Sequence, residues 1–166
     1  MIIAITTSLA LIVAPTLIHF GVLQQTSRLL VRCGPPRPAL SLIAVSGAVV
    51  AHLIEVGLYA AAYYALTHLV PVGDVQGIRA ADAMDFFYYS TVMYTSLGLG
   101  DAFPIGHLRF ISSIEALNGL LLIGWSTSFT FLAMRSYWPL THEIARDPLD
   151  AAPSSHSESD APNVQR

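Results

Sequence analysis

The sequence predicts an all-α membrane protein with three spanning helices and one short re-entrant helix that leads into a glycine-alternating loop. Three observations carry this reading. Hydrophobic residues make up 54% of the 166-residue chain and charged residues only 11%, against about 25% charged in an ordinary soluble domain. Three apolar runs reach the ~20 residues that cross a bilayer. Between the second and third lies "TSLGLGD", residues 95–101, whose alternate glycines make a poor helix. Non-helical backbone is tolerated at membrane depth only where protein covers it or it lines a water-filled path.

The elements follow in order. Residues 1–27 carry no charge, and the apolar run extends from Met1 to about Leu23. Nothing basic precedes Arg28, so this is read as an uncleaved membrane helix rather than a signal peptide, with Pro15 expected to kink it. Arg28, Arg32 and Arg37 flank "GPPRP", a stiff basic connector that closes a first unit over 1–37. Residues 40–70 form a second apolar segment broken only by His52 and Glu55; fully helical, it spans roughly 46 Å at ~1.5 Å per residue, so it tilts or extends past the hydrocarbon.

"PVGDVQGIRA" at 71–80 reads as a polar turn region. Asp82 and Asp85 have the placement of helix-capping carboxylates, which predicts a short helix over 82–95, too short and too polar to cross alone. After Pro104, residues 107–134 make the third spanning helix, interrupted only by Arg109 and Glu115. The central unit runs over 38–138. Tyr137 and Trp138 beside Pro139 fit an inner aromatic belt, and residues 139–166 read as a cytoplasmic tail, disordered from Asp147 on.

Arginine placement sets the orientation. Arg28, Arg32, Arg37, Arg135 and Arg146 outnumber Arg79 and Arg109 on the opposite side, which places the first connector and the C-terminus in the cytoplasm, with the N-terminus and 71–106 outside. A net charge of -3 offers nucleic acid no basic footprint. The single Cys33 cannot form an intrachain disulfide and reads as a small apolar filler. No nucleophile–base pair, phosphate loop or cofactor motif is present, so neither enzyme chemistry nor a cofactor is expected.

The quoted loop matches one chemical problem. Stripping a cation of water takes rings of oxygens, and backbone carbonyls supply them if successive C=O groups face the same way. Glycine at alternate positions permits the backbone angles this needs. A hydroxyl at the inner end and a carboxylate where the ion rehydrates complete the site. Thr95, Ser96, Leu97, Gly98, Leu99, Gly100 and Asp101 stand in that order.

This stretch resembles the selectivity filter of the potassium channel pore-domain family, whose filter reads TVGYG. The resemblance covers about 40–134: outer helix, pore helix, filter and inner helix. It implies a homotetramer in the inner membrane, in contact with lipid and with permeant monovalent cations, that conducts potassium passively. Carried over by position, potassium is held by Ser96, Leu97, Gly98 and Leu99, with Asp101 at the outer mouth. Tyr88 and Tyr89 fall where the family has pore-helix aromatics that brace the filter, and Gly119 in "NGLLLIGWS" falls near its hinge. The family's threonine, valine and tyrosine are here Ser96, Leu97 and Leu99. Leu99 loses the aromatic hydroxyl, although leucine occurs there in some animal two-pore-domain potassium channels. The segments "HLIE", "EALNG" and "GWS" resemble small bacterial ion channel proteins. A non-selective or sodium-permeable channel and a non-conducting structural or regulatory membrane protein remain the alternatives.

His52, Glu55, Glu115 and Asn118 are the intramembrane polar residues of interest, because such groups are costly to bury. Counted inward from His68 and His107, Glu55 lies roughly 20 Å deep and Asn118 roughly 17 Å, which leaves them able to hydrogen-bond between the outer and inner helices. Glu115, roughly 12 Å deep, falls level with Tyr59. A packing network is the first reading and a gating or pH-linked cluster the second. A metal site ranks last, because only one histidine is counted at this depth. Met84, Met93 and the aromatics at 86–89 read as packing residues, and Trp125 as packing between subunits.

Overall fold

Three helices long and apolar enough to cross a membrane, over residues 2–33, 39–68 and 108–135, dominate the structure. This computed structural model describes residues 1–34, 36–70, 72–77 and 82–137. The expected tail, Arg79, Arg146 and the belt residues Trp138 and Pro139 lie outside them.

The first helix, α1 (Ile2–Cys33), continues through Pro15, Arg28 and Arg32 and stops where Gly34 takes a left-handed φ of 50°, the usual glycine ending. The expected connector is thereby shortened to the turn around Gly34, because arginine is a good helix former. The second helix, α2 (Arg37–His68), starts with a proline in its first turn, where the missing N–H costs nothing.

Ala4, Ser8, Leu11, Pro15, His19, Leu23, Thr26 and Leu30 are the buried face of α1. Their spacing of three and four residues is one helical stripe, and it packs on α2 and on the last long helix. Gly47 of α2 allows the close approach: a β-carbon there would overlap the Thr26 hydroxyl.

Pro15 has a consequence beyond its own helix. Its absent N–H leaves the carbonyl four residues earlier, that of Leu11, without its helical partner. The Tyr59 hydroxyl (2.8 Å) and the Asn118 amide (3.4 Å) donate to that oxygen instead. The proline thus docks α1 onto two other helices.

Outside the helices two short strands pair, and the first of them falls in the stretch 71–80 that was expected as a polar turn. Strand β1 (Gly73–Gln76) pairs antiparallel with β2 (Phe103–Gly106), Gly73 opposite Gly106. Between them runs α3 (Ala83–Tyr94), the expected short helix, capped by Asp82, whose side chain accepts from the N–H groups of Met84 and Asp85, both at 2.9 Å. Its Phe86, Tyr89 and Tyr94 meet Tyr59 and Tyr63 of α2 in the main core. Leu108 and Ile111 of α4 (Leu108–Tyr137) complete it. Twelve helical residues are about 18 Å long, so α3 reaches only partway along its two long neighbours.

Candidate functional site

At its C-terminal end α3 turns directly into the glycine-alternating stretch. Thr95 caps the helix with its N–H on the Thr91 carbonyl (3.1 Å), and the N–H groups of Ser96 and Leu97 return to the carbonyls of Met93 (2.9 Å) and Val92 (3.0 Å). Beyond this the backbone alternates. Ser96, Gly98 and Gly100 have φ of 57°, 56° and 81°, whereas neither leucine between them has a positive φ. Every residue from Thr95 to Asp101 is exposed in the single chain.

The Asp101 end of this stretch is tied down. The Tyr88 hydroxyl donates to Asp101 at 2.6 Å, and that hydrogen bond raises the Tyr88 phenol above its ordinary pKa, so the phenol stays a donor. Gly77 (φ 95°), just after β1, comes so close to the Asp101 carbonyl that a β-carbon would overlap it. Tyr89, grouped with Tyr88 by the resemblance, acts elsewhere. It is fully buried, pairs with the Ser112 hydroxyl at 2.6 Å, and packs edge-on to Tyr63 with ring centroids 5.0 Å apart.

Two buried carboxylates hold α3 from behind. Glu115 of α4 accepts from the Ser90 hydroxyl (2.5 Å) and from the Tyr63 hydroxyl. Glu55 of α2 accepts from the hydroxyl of Tyr94, the last residue before Thr95, and from His19 Nδ1 of α1 at 2.8 Å. His52 Nδ1 lies 3.2 Å from the same carboxylate and 2.9 Å from the Tyr94 hydroxyl. Both carboxylates are 0% exposed, and both have hydroxyl donors on α3.

The one expected pairing is therefore corrected. Asn118 bonds Tyr59 (3.2 Å) and the Leu11 carbonyl rather than Glu55, while Glu115, placed level with Tyr59 by depth, bonds Tyr63. The reason is side-chain direction. Helical side chains lean toward their own N-terminus, so on antiparallel α2 and α4 they lean in opposite senses, and equal Cα depth does not mean contact. The histidine count is corrected too, since His19 joins His52 at Glu55. His19 belongs to α1, whose packing is invisible to a count along one helix. Trp125, expected between subunits, has its ring 5.4 Å from His19 and 6.4 Å from Phe20 of its own chain.

Gly119, the hinge expected from the resemblance, lies where α4 crosses the end of α3. A β-carbon there would overlap the Tyr94 backbone carbonyl, and α4 runs unbroken past it. Met84 is mostly exposed, while Met93 packs on the core. The residues missed at sequence level are His19, Tyr63, Ser90, Tyr94 and Ser112. The available signal was a polar or hydroxyl side chain recurring in otherwise apolar helices.

A spanning bundle with a short helix running into an exposed glycine-alternating strand defines a membrane pore-domain architecture. The family model described as ion channel matches residues 39–136, more than half of the chain. The chain belongs to this ion channel pore-domain family and is an integral membrane protein. No curated protein and no solved structure matches it.

The carboxylate network yields a stability prediction. Glu55→Leu removes the carboxylate's contacts with Tyr94, His19 and His52, and at about 0.6 kcal/mol for an average intramembrane hydrogen bond the three contacts amount to about 2 kcal/mol. Glu55→Gln, which keeps an acceptor, should lose less than half of that. Thermal midpoints of the detergent-solubilised protein check the order, and equal loss in both variants would refute it.

Proposed function

We propose that the protein is a passive cation channel in which four copies place Thr95–Asp101 around one axis and conduct potassium. The observation that carries this reading is the backbone at Ser96, Gly98 and Gly100, left-handed at alternate positions. That alternation lets successive carbonyls face one side, as required to replace the water of an ion. Exposure of the whole stretch supports assembly, since backbone at membrane depth needs cover from protein. In this reading Ser96, Leu97, Gly98 and Leu99 supply the ion-facing oxygens, α3 is the re-entrant pore helix, and Asp101, steadied by Tyr88, stands at the outer mouth.

Leu99 favours a second reading, conduction without strong selectivity. It is 57% exposed and has no hydroxyl with which to tie the strand to α3. Reconstitution of the purified protein, with potassium and sodium flux measured side by side, decides between the two. Selective conduction predicts potassium flux faster by about tenfold or more; equal rates assign the second reading, and no flux of either ion leaves a structural role. By mass photometry the 17.9 kDa chain should run as a tetramer, and an active monomer would rule out the ring.

Orientation has its own test. Cys33 is exposed at the end of α1, one residue after Arg32 and close to Arg28 and Arg37. The excess of arginine at this end supports a cytoplasmic location. A membrane-impermeant thiol reagent is therefore expected to label Cys33 in inverted vesicles and not in intact cells. Labelling of intact cells would invert the topology.

A further inference from the structure

We propose that His19, His52 and Glu55 form a binding site for a divalent transition-metal ion of the zinc type, one that ties the first helix to the helices behind Thr95–Asp101. The three side chains each offer a ligand atom, and these atoms all lie within 4.8 Å of one another. His52 and Glu55 are three residues apart and share a face of α2, whereas His19 arrives from α1. Two imidazoles and one carboxylate are a donor set suited to zinc and its neighbours rather than to calcium or magnesium, which prefer oxygen alone. At the 2.0–2.2 Å bond lengths of zinc, tetrahedral ligand atoms stand roughly 3.3 Å apart. His19 Nδ1 lies 2.8 Å from Glu55 Oε1 and His52 Nδ1 lies 3.2 Å from Oε2, so the ligand atoms are already gathered at close to that spacing.

Three further features fit a metal site. The far nitrogen of His19, Nε2, lies 3.2 Å from the Ser126 hydroxyl of α4. A histidine bound to metal through Nδ1 carries its proton on Nε2 and donates it to such a partner, which fixes ring and tautomer. The Tyr94 hydroxyl at Glu55 provides the same kind of support for the carboxylate, and a water would complete a four-coordinate ion. The site is also open on one side. His52 is partly exposed and lines an open, mainly apolar groove of about 420 Å³ between α2 and α4, in which Ser126, Thr127 and Thr130 are the other polar residues. A bound ion would fix α1, α2 and the residue that leads into Thr95, giving the additional first helix a direct hold on the loop.

Metal binding is measured independently of conduction, so its failure and that of the channel reading are separable. Metal-stripped full-length protein in detergent is titrated with Zn²⁺ against a chromogenic chelator, and with Co²⁺ while following its visible d–d absorption. One ion per chain is expected, with cobalt bands of a low-symmetry nitrogen–oxygen site. His19→Gln and His52→Gln should each weaken Zn²⁺ binding about tenfold or more, and Ser126→Ala should weaken it by about tenfold through loss of support. The outer-end pair His68→Gln with His107→Gln should leave it unchanged. Should His19→Gln fail to fold, His52→Gln, in the open groove, carries the test. Substoichiometric binding by the wild type, or binding unaltered in His52→Gln, would overturn the site and leave a hydrogen-bond network alone.

Discussion

Gly98→Ala and Gly100→Ala are each expected to abolish ion flux from reconstituted liposomes while leaving insertion and assembly intact. The two glycines hold φ of 56° and 81°, and nothing lies within 4 Å of where a β-carbon would stand. Within one chain the added methyl therefore meets no obstacle, and its effect falls on the backbone. A left-handed L-residue costs about 1–2 kcal/mol, so four copies around one axis would carry about 4–8 kcal/mol. That strain is relieved by turning peptides out of the alternating conformation, which removes carbonyls from the ion path. Each 1.36 kcal/mol added to a barrier slows passage tenfold, so even half of the lower figure reduces flux by about thirtyfold. Potassium efflux, measured beside circular dichroism and gel filtration of the same preparations, provides the check. Wild-type flux in either variant would remove Thr95–Asp101 from the conduction path.

The next largest effect is expected at Gly119. Gly119→Ala puts a methyl group onto the Tyr94 carbonyl oxygen, and backbone cannot swing aside as a flexible side chain can. Tyr94 is also held at its other end, where its hydroxyl donates to Glu55. Overpacking of this kind costs about 1–3 kcal/mol, and the displacement is delivered to the residue before Thr95, so flux and thermal midpoint should fall together. Gly124 is the control: it lies in the same helix with nothing within 4 Å of its missing β-carbon. Gly124→Ala should be neutral or stabilising by up to about 1 kcal/mol through helix propensity. If Gly119 acts only as a hinge, Gly119→Ala will leave the midpoint unchanged and alter opening alone.

Much of this architecture was legible along the chain because its signals are local. Apolar length marks a spanning helix whatever it packs against, as in α2 and α4. Asp82 caps α3 as its position implied, since a capping carboxylate reaches only the next two or three N–H groups. The alternation of Gly98 and Gly100 announced an unusual backbone, and the positive φ values occur there; the positive φ of Ser96 was not readable, because serine adopts that region rarely. The pairing of β1 with β2 was missed for a related reason. Its strands are four residues each and lie far apart in sequence, so neither has a periodicity long enough to register.

Sequence by itself determined the solvent, the number of spanning helices, the capped short helix and the loop that interrupts them, all of which follow from composition and from contacts within a few residues. Only the tertiary structure decided which polar groups meet. Glu55, level with Asn118 by depth, is found with His19, His52 and Tyr94, while Asn118 serves the Leu11 carbonyl freed by Pro15. Depth counted along one helix gives Cα height and nothing more. Partner choice depends on how helices cross, on the opposite lean of side chains on antiparallel neighbours, and on which face of α1 turns inward. In an apolar bundle each buried carboxylate must then find its donors among the few polar groups that this packing brings within reach.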